Sequence, residues 1–293
     1  MKSLRQVIGE AQQAKTAVAH FNISELGTLK AIFSAGQELS TPAKHIPIII
    51  GVSEGERDFS GLAQAVALVK SLRDQYDYPI FINADHTHSV EKAKAAIDAG
   101  FDAVIIDGGA LPLAQNIAMT KEVVAYAHGR AYEVLIEGEL GYIGSGSEVL
   151  KEVPKGAAIT IDSITKVSEA QEFVTATGVD LLAPAVGNIH GMFAGAPNPH
   201  LFIDRVKEIS EAVKLPLVLH GGSGTPDEDF MKSVDAGVAI IHISTELRRA
   251  WRAGEEKALH DKPDEVAPYK LLEPAVAEVA KVALARLKLF NRL

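Results

Sequence analysis

Short apolar, β-branched runs alternate along the chain with longer segments whose apolar residues recur at helical spacing. Eight such runs are legible, at residues 17–21, 46–52, 79–84, 103–106, 132–138, 181–186, 217–219 and 238–243. A run that is apolar at nearly every position suits a strand buried on both faces, and a helix between successive runs is the crossover that parallel strands need. Helices are predicted at 23–38, 61–75, 90–99, up to His128, at 164–175, 201–213 and 227–236, and from Glu246 onward. Eight βα units predict an α/β fold, a closed (β/α)8 TIM barrel whose chemistry gathers at the C-terminal strand ends. A doubly wound open sheet is the rival, and it wants a Gly-rich turn after its first strand, where this chain has His20-Phe21-Asn22-Ile23. One domain is expected, with the barrel over about 15–262 and a C-terminal helix over about 267–293. The apolar Leu271, Leu272, Val276, Val279, Val282 and Leu287 of that helix would pack on the barrel or on a second subunit.

Composition narrows the chemistry. With 293 residues, 47% hydrophobic and 23% charged, the chain has enough apolar surface for a full core. A net charge of -9 and a pI near 5.6 argue against nucleic-acid or anionic-membrane binding over the whole surface, while a local anion site stays open. Cysteine is absent, which excludes disulfides, thiolate metal sites and a Cys nucleophile, so any metal must be held by His, Asp or Glu. The segment Gln6 to Lys15 lacks the apolar block of a signal peptide and no run approaches a membrane span, so a cytoplasmic protein is expected.

The conspicuous polar residues fall at the predicted strand ends. Phe81-Ile82-Asn83-Ala84-Asp85-His86-Thr87-His88 closes the third strand, Gly187-Asn188-Ile189-His190-Gly191 the sixth and His220-Gly221-Gly222-Ser223-Gly224 the seventh. A lone histidine there is more often structural, but three on one barrel face predict that His86, His190 and His220 converge on a divalent metal with a position left open for substrate. His88 reads as a surface or supporting residue. Asp85, next to a ligand, is either an orienting group or a general acid/base within reach of a substrate hydroxyl. Asp107 and Glu139, ending the fourth and fifth strands, are oxygen ligands for a second or displaced metal position, or partners of a nearby cation. Glu148 lies beyond the Gly/Ser-rich loop Gly141 to Gly146 and would carry a proton if that loop closed. The glycine-rich turn after the seventh strand and Ser244-Thr245 after the eighth together predict an anion cradle, where barrels commonly hold phosphate.

Taken together, Asn83-Ala84-Asp85-His86, Ile106-Asp107-Gly108, Glu137-Gly138-Glu139-Leu140-Gly141, Gly187-Asn188-Ile189-His190-Gly191 and His220-Gly221-Gly222-Ser223-Gly224 resemble the class II fructose-bisphosphate aldolases, the metal-dependent ketose-bisphosphate aldolases. The similarity runs from Phe21-Asn22 to about Leu247. It implies reversible cleavage of fructose 1,6-bisphosphate or a related phosphorylated ketose to dihydroxyacetone phosphate and an aldehyde, through a zinc-stabilised enediolate. It implies zinc on His86, His190 and His220, with Asp85 acting on the C4 hydroxyl, Glu148 exchanging a proton with carbon, and Asp107 and Glu139 at an alternative or second site for a divalent or monovalent cation. Gly191, Gly221, Ser223, Ser244 and Thr245 match phosphate-cradle positions, and Asn22, Ser53 and His242 are placed with them as substrate-binding positions. Expected partners are the phosphorylated ketose and further copies of the chain, as a homodimer or homotetramer, with no nucleic acid and no membrane.

Some positions depart from that pattern. The family usually has Asn on the eighth strand with a basic residue two places earlier, where this chain has His242 and Ile240. Met192-Phe193-Ala194 replaces an aromatic residue and a phosphate-binding Lys, and Gly109 stands where Ser is usual. Backbone donors, helped by Arg57, would then carry the phosphate, and the departures leave open an aldolase-like barrel with an altered substrate or no catalysis, or an isomerase or epimerase sharing the same enediolate.

Overall fold

The computed structural model describes residues 2–41, 44–144 and 146–293. Eight parallel strands close into a barrel: β1 (Val18–Asn22), β2 (Ile48–Val52), β3 (Ile80–Thr87), β4 (Ala103–Ile106), β5 (Leu135–Leu140), β7 (Leu181–Pro184), β9 (Leu217–Leu219) and β10 (Val238–Ile243). The short strands β6 (Val149–Leu150) and β8 (Met192–Phe193) pair with each other outside it. Each barrel strand pairs with its chain neighbour, and β10 closes the ring on β1 through Val18–Ile240 and His20–His242. The expected fold is therefore the observed one. Among the described residues eleven helices alternate with or flank the strands, and none is long and apolar enough to cross a membrane.

Strand side chains alternate in direction, so the inward-facing set can be followed two residues at a time. Near the N-terminal ends that set is apolar: Val18, Ile49, Phe81, Leu135, Val218 and Ile240 form one cluster with Leu4, Val7, Ile8 and Ala11 of helix α1 (Leu4–Ala14). The apolar pattern of the sequence predicts no element here. Its apolar stripe plugs the lower mouth of the barrel. Two residues further along, the same strands present His20, Asn83, Glu137, His220 and His242, all buried. The barrel is thus greasy below and polar above, and the switch comes at one level.

Gly51 shows how that level is packed. A Cβ there would sit 2.0 Å from Cε1 of His20, so the second strand yields its side-chain space to the imidazole of the first. Gly51→Ala should destabilise the protein by about 1–3 kcal/mol, the usual cost of overpacking a core. Gly9, inside α1, has nothing within 4 Å of such a Cβ. Gly9→Ala should stabilise by about 0.5–1 kcal/mol, since alanine loses less backbone freedom in a helix. Denaturant midpoints of the two variants, read against the parent, should move in opposite directions.

Three boundaries differ from the expectation in ways that bear on the site. β3 runs on through Thr87 rather than stopping at Ala84, and β5 spans Leu135–Leu140 rather than 132–138, so its later end puts Glu139 inside the strand. β7 stops at Pro184, so His190 sits in a loop six residues further on. The charged loop after β2 is a helix, α3 (Glu54–Ser60), and the Ser53 N–H donates to Glu56 Oε2 at its first turn. At the C-terminus, α10 (Thr245–Asp261) and α11 (Pro268–Phe290) pack together and α11 packs against α2 (Leu26–Leu39), with Val279, Ala283, Leu287 and Phe290 buried. α11 covers the flank of the barrel, one of the two placements the sequence left open.

Candidate active site

Regular alternation would send Asp85 into the barrel and His86 away from it. The chain avoids this with a local irregularity. Pairing between β3 and β4 shifts register between Ala84 and Thr87, and His86 takes a left-handed backbone with φ 34°, a conformation uncommon for a side chain of this kind. Both side chains then line the same cleft. Strain of this sort persists only where surrounding contacts hold it, and Arg57 supplies one: its guanidinium donates to the Asp85 carbonyl, the Val52 carbonyl and Thr87 Oγ1. Arg57, expected to help hold phosphate, thus supports the backbone behind the site and lies outside the lining of either cleft.

The loops after β7 and β9 bring the other two histidines alongside. Asn188 accepts from the Val186 N–H and donates to the His220 carbonyl, tying one loop to the other. Gly221, at φ 61°, lies so close to Ile189 that a Cβ would stand 2.3 Å from its carbonyl oxygen. His86 and His190 ring centres are 4.6 Å apart, and His86 and His220 4.7 Å. One nitrogen of each ring is already committed: His86 Nδ1 to Asp107 Oδ2 at 2.9 Å, His190 Nδ1 to the Gly144 carbonyl at 2.6 Å, and His220 Nε2 to Glu137 Oε1 at 2.7 Å. The remaining nitrogens, His86 Nε2, His190 Nε2 and His220 Nδ1, face one another, and ligand atoms of the three rings lie within 4.8 Å. Outer hydrogen bonds that fix ring orientation are the usual support of a metal site. Without an ion, burial disfavours a protonated His86, but Asp85, Glu139 and Asp107 hold the proton on it, up to about 10, so a bound cation would displace that proton. Three imidazole nitrogens so oriented fit a divalent ion, and an all-nitrogen set accords with zinc.

Asp85 stands beside them. Its Oδ2 accepts from Asn22 Nδ2 at 2.8 Å, while Oδ1 is buried without a hydrogen bond, 3.5 Å from His242 Nδ1 and 3.8 Å from His86 Nε2. Burial alone would raise its pKa, but His86, His242 and His20 around it hold the carboxyl well below its ordinary value. It is a charged, oriented base with one free oxygen. His242, in turn, stacks on His20 at 3.4 Å between ring centres. Burial drives both of these imidazoles toward the neutral form, His20 down to about 4.

Asp107 and Glu139 form a second group with His86. Burial and the neighbouring Asp107 push Glu139 up to about 8; burial would raise Asp107 too, but its bond to His86 and the Gly109 N–H take it down to about 2. Without a cation the pair keeps only one charge. Glu139 Oε2 is buried without a hydrogen bond, 3.4 Å from His86 Nδ1, as a ligand oxygen in wait would be.

The residues expected to cradle an anion lie across the cleft. Gly191, Gly221, Ser223, Ser244 and Thr245 all line it, at the N-terminus of the 17-residue α10. Ser223 Oγ accepts from the N–H groups of Ser244 and Glu246, and Ser244 Oγ is buried without a partner. Asn22 and Ser53 line the wider cavity just outside. Glu148 is exposed and stands outside the lining of either cleft; Ser145, in the same loop, lies outside the described residues. The base of that loop is nonetheless held against the site, because β6 pairs with β8 directly after Gly191. His88 is mostly exposed, 3.6 Å from Asp107. Sequence reasoning missed His20 and Glu137, although each sits two residues before a residue it did single out and shares its inward face.

Three facing imidazoles and a buried carboxylate at the C-terminal mouth of the barrel have the form of a metal-dependent (β/α)8 enzyme. Residues 2–292 match the family model described as "Fructose-bisphosphate aldolase class-II". The chain is 36% identical to the "Probable fructose-bisphosphate aldolase" of Bacillus subtilis (strain 168), over 99% of this chain and 97% of that protein. It is 35% identical to the "Fructose-bisphosphate aldolase" of Geobacillus stearothermophilus, over 99% and 96%. Among solved structures, the YdjI aldolase from Escherichia coli K12 superposes with a TM-score of 0.81 at 29% identity, covering 98% of this chain and 96% of that one. The chain belongs to the class II fructose-bisphosphate aldolases and is a carbon–carbon lyase of that metal-dependent family.

Proposed function

We propose that this aldolase uses zinc and cleaves a ketose phosphorylated at C1 to dihydroxyacetone phosphate and an aldehyde. The observation that carries the reading is Asp85, an ionised carboxylate with a free oxygen beside three facing imidazoles. His86, His190 and His220 would hold the ion, which supplies Lewis acidity toward the ketose carbonyl when bound. Asp85 takes the proton of the C4 hydroxyl as the C3–C4 bond breaks. The electron pair of that bond stays with the three-carbon fragment as an enediolate, and the C4 oxygen leaves as the aldehyde. Glu148, carried inward by its loop, returns a proton to C3. The cradle of Gly191, Gly221, Ser223, Ser244 and Thr245 anchors the C1 phosphate at a helix N-terminus. Asn22 orients Asp85. His242 approaches the same carboxylate from below, so its role is to position that base, while Asp107 and Glu139 would hold a second cation.

The test uses the full chain with zinc. Dihydroxyacetone phosphate should exchange one carbon-bound proton with deuterated solvent, a chelator should cut exchange and cleavage to roughly 1% or less, and added zinc should restore both. Borohydride with substrate should leave the protein unlabelled. Full activity in chelated protein, or a reduced adduct on a lysine, would refute the reading.

A further inference from the structure

The two ends of the cleft are built for different charges. Outward from Asp85, His86 and His190 opens a cavity of about 680 Å³ bounded by α3, the Asp107–Leu111 turn, Tyr142, Gly144, Gly146 and Ser147. Glu54, Glu56, Asp107 and Glu139 all face it. The one Arg or Lys among its described lining residues is Arg248, and that guanidinium is already bonded to Glu56 Oε1 at 2.7 Å and to the Ser147 carbonyl at 3.3 Å. Lys92, just outside, is bonded to Glu54 Oε2. His88, also on the wall, faces Asp107. Phe59, 78% exposed, and Leu111, 42% exposed, add apolar faces to the same space.

Carboxylates and serine hydroxyls accept hydrogen bonds from sugar hydroxyls, and apolar faces suit their C–H edges. A phosphate dianion there would find no uncommitted cation among the described lining residues, because Arg248 and the nearby Lys92 are each held by a wall carboxylate that would be left unpaired if they turned to it. We propose that this outer cavity is a subsite for a neutral polyhydroxy aldehyde, so that the preferred ketose carries a single phosphate, at its dihydroxyacetone end. The inference rests on the aldolase reading above and narrows its substrate. Discrimination of this kind works by unfavourable contacts to the wrong substrate as much as by favourable ones to the right one.

Condensation of dihydroxyacetone phosphate with D-glyceraldehyde, D-erythrose and D-glyceraldehyde 3-phosphate tests it on the zinc-loaded full chain. The neutral aldehydes should show kcat/KM at least about tenfold above the phosphorylated one. Glu54→Gln, which removes a wall charge and frees Lys92, should move that ratio about tenfold toward the phosphorylated aldehyde. Proton exchange in dihydroxyacetone phosphate alone should stay unchanged in that variant. A parent enzyme that exchanges this proton but uses D-glyceraldehyde 3-phosphate as well as or better than the neutral aldehydes overturns this inference alone. A zinc-loaded parent that does not exchange the proton overturns the aldolase reading and this inference together. The parent's aldehyde panel decides the matter even if the variant does not fold.

Discussion

Asp85→Ala loses carbon–carbon cleavage by roughly 10²- to 10⁴-fold while its zinc affinity stays within a few-fold of the parent, because removal of a general acid/base costs about that much and no metal ligand is touched. In free energy this is about 3–5 kcal/mol of transition-state stabilisation. The fold should tolerate the change. Asn22 keeps its bond to Glu56 Oε2 at 3.0 Å, and the Asp85 carbonyl keeps Arg57. The three imidazoles retain their outer bonds to Asp107, Gly144 and Glu137. Affinity would shift slightly because an anion near His86 is gone. Steady-state cleavage and a zinc competition titration on the same preparation separate the two effects. Near-parental turnover would mean that another group moves the C4 proton.

Legibility of this site in the sequence followed the physics of each element. His220 and the turn after it could be read because an apolar strand, a histidine and a glycine-rich run leave few alternatives. His86 was identified for the right reason and placed by the wrong one: the expectation ended its strand at Ala84, whereas the chain continues and turns His86 inward through a register shift and a left-handed backbone. No one-dimensional pattern announces such a bulge. Glu137 and His20 were overlooked because they sit inside apolar runs, where strand propensity hides a polar residue. Period-two counting from Glu139 and Asn22 reaches both. α1 escaped notice because its stripe is short and mixed, and only the closed barrel supplies the apolar mouth that it covers. The arrangement of charge in the outer cavity was least legible of all, since it depends on which carboxylate each cation meets. Glu54 binds Lys92 across 38 positions and Glu56 binds Arg248 across 192.

His220→Ala should remove zinc affinity itself, by at least about 10²-fold, and activity with it, because a three-ligand site cannot lose one imidazole and keep its ion. A second cost follows from what the ring shields. Glu137 is fully buried, and its Oε1 is held at 2.7 Å by His220 Nε2. Burial raises the Glu137 pKa even with that bond in place, so without it the carboxyl folds only by taking up a proton. Cavity and unpaired acid together should destabilise the metal-free protein by about 2–4 kcal/mol. Glu137→Gln separates the roles. Its amide oxygen can still accept from His220 Nε2, keeping the ring oriented and Nδ1 free, so affinity should fall only about tenfold. Zinc titrations should therefore rank the parent first, Glu137→Gln second and His220→Ala last. If His220→Ala binds zinc as tightly as Glu137→Gln, the ring is support for the site and not a ligand, and the ion must be held elsewhere along the wall that His86 shares with Asp107 and Glu139.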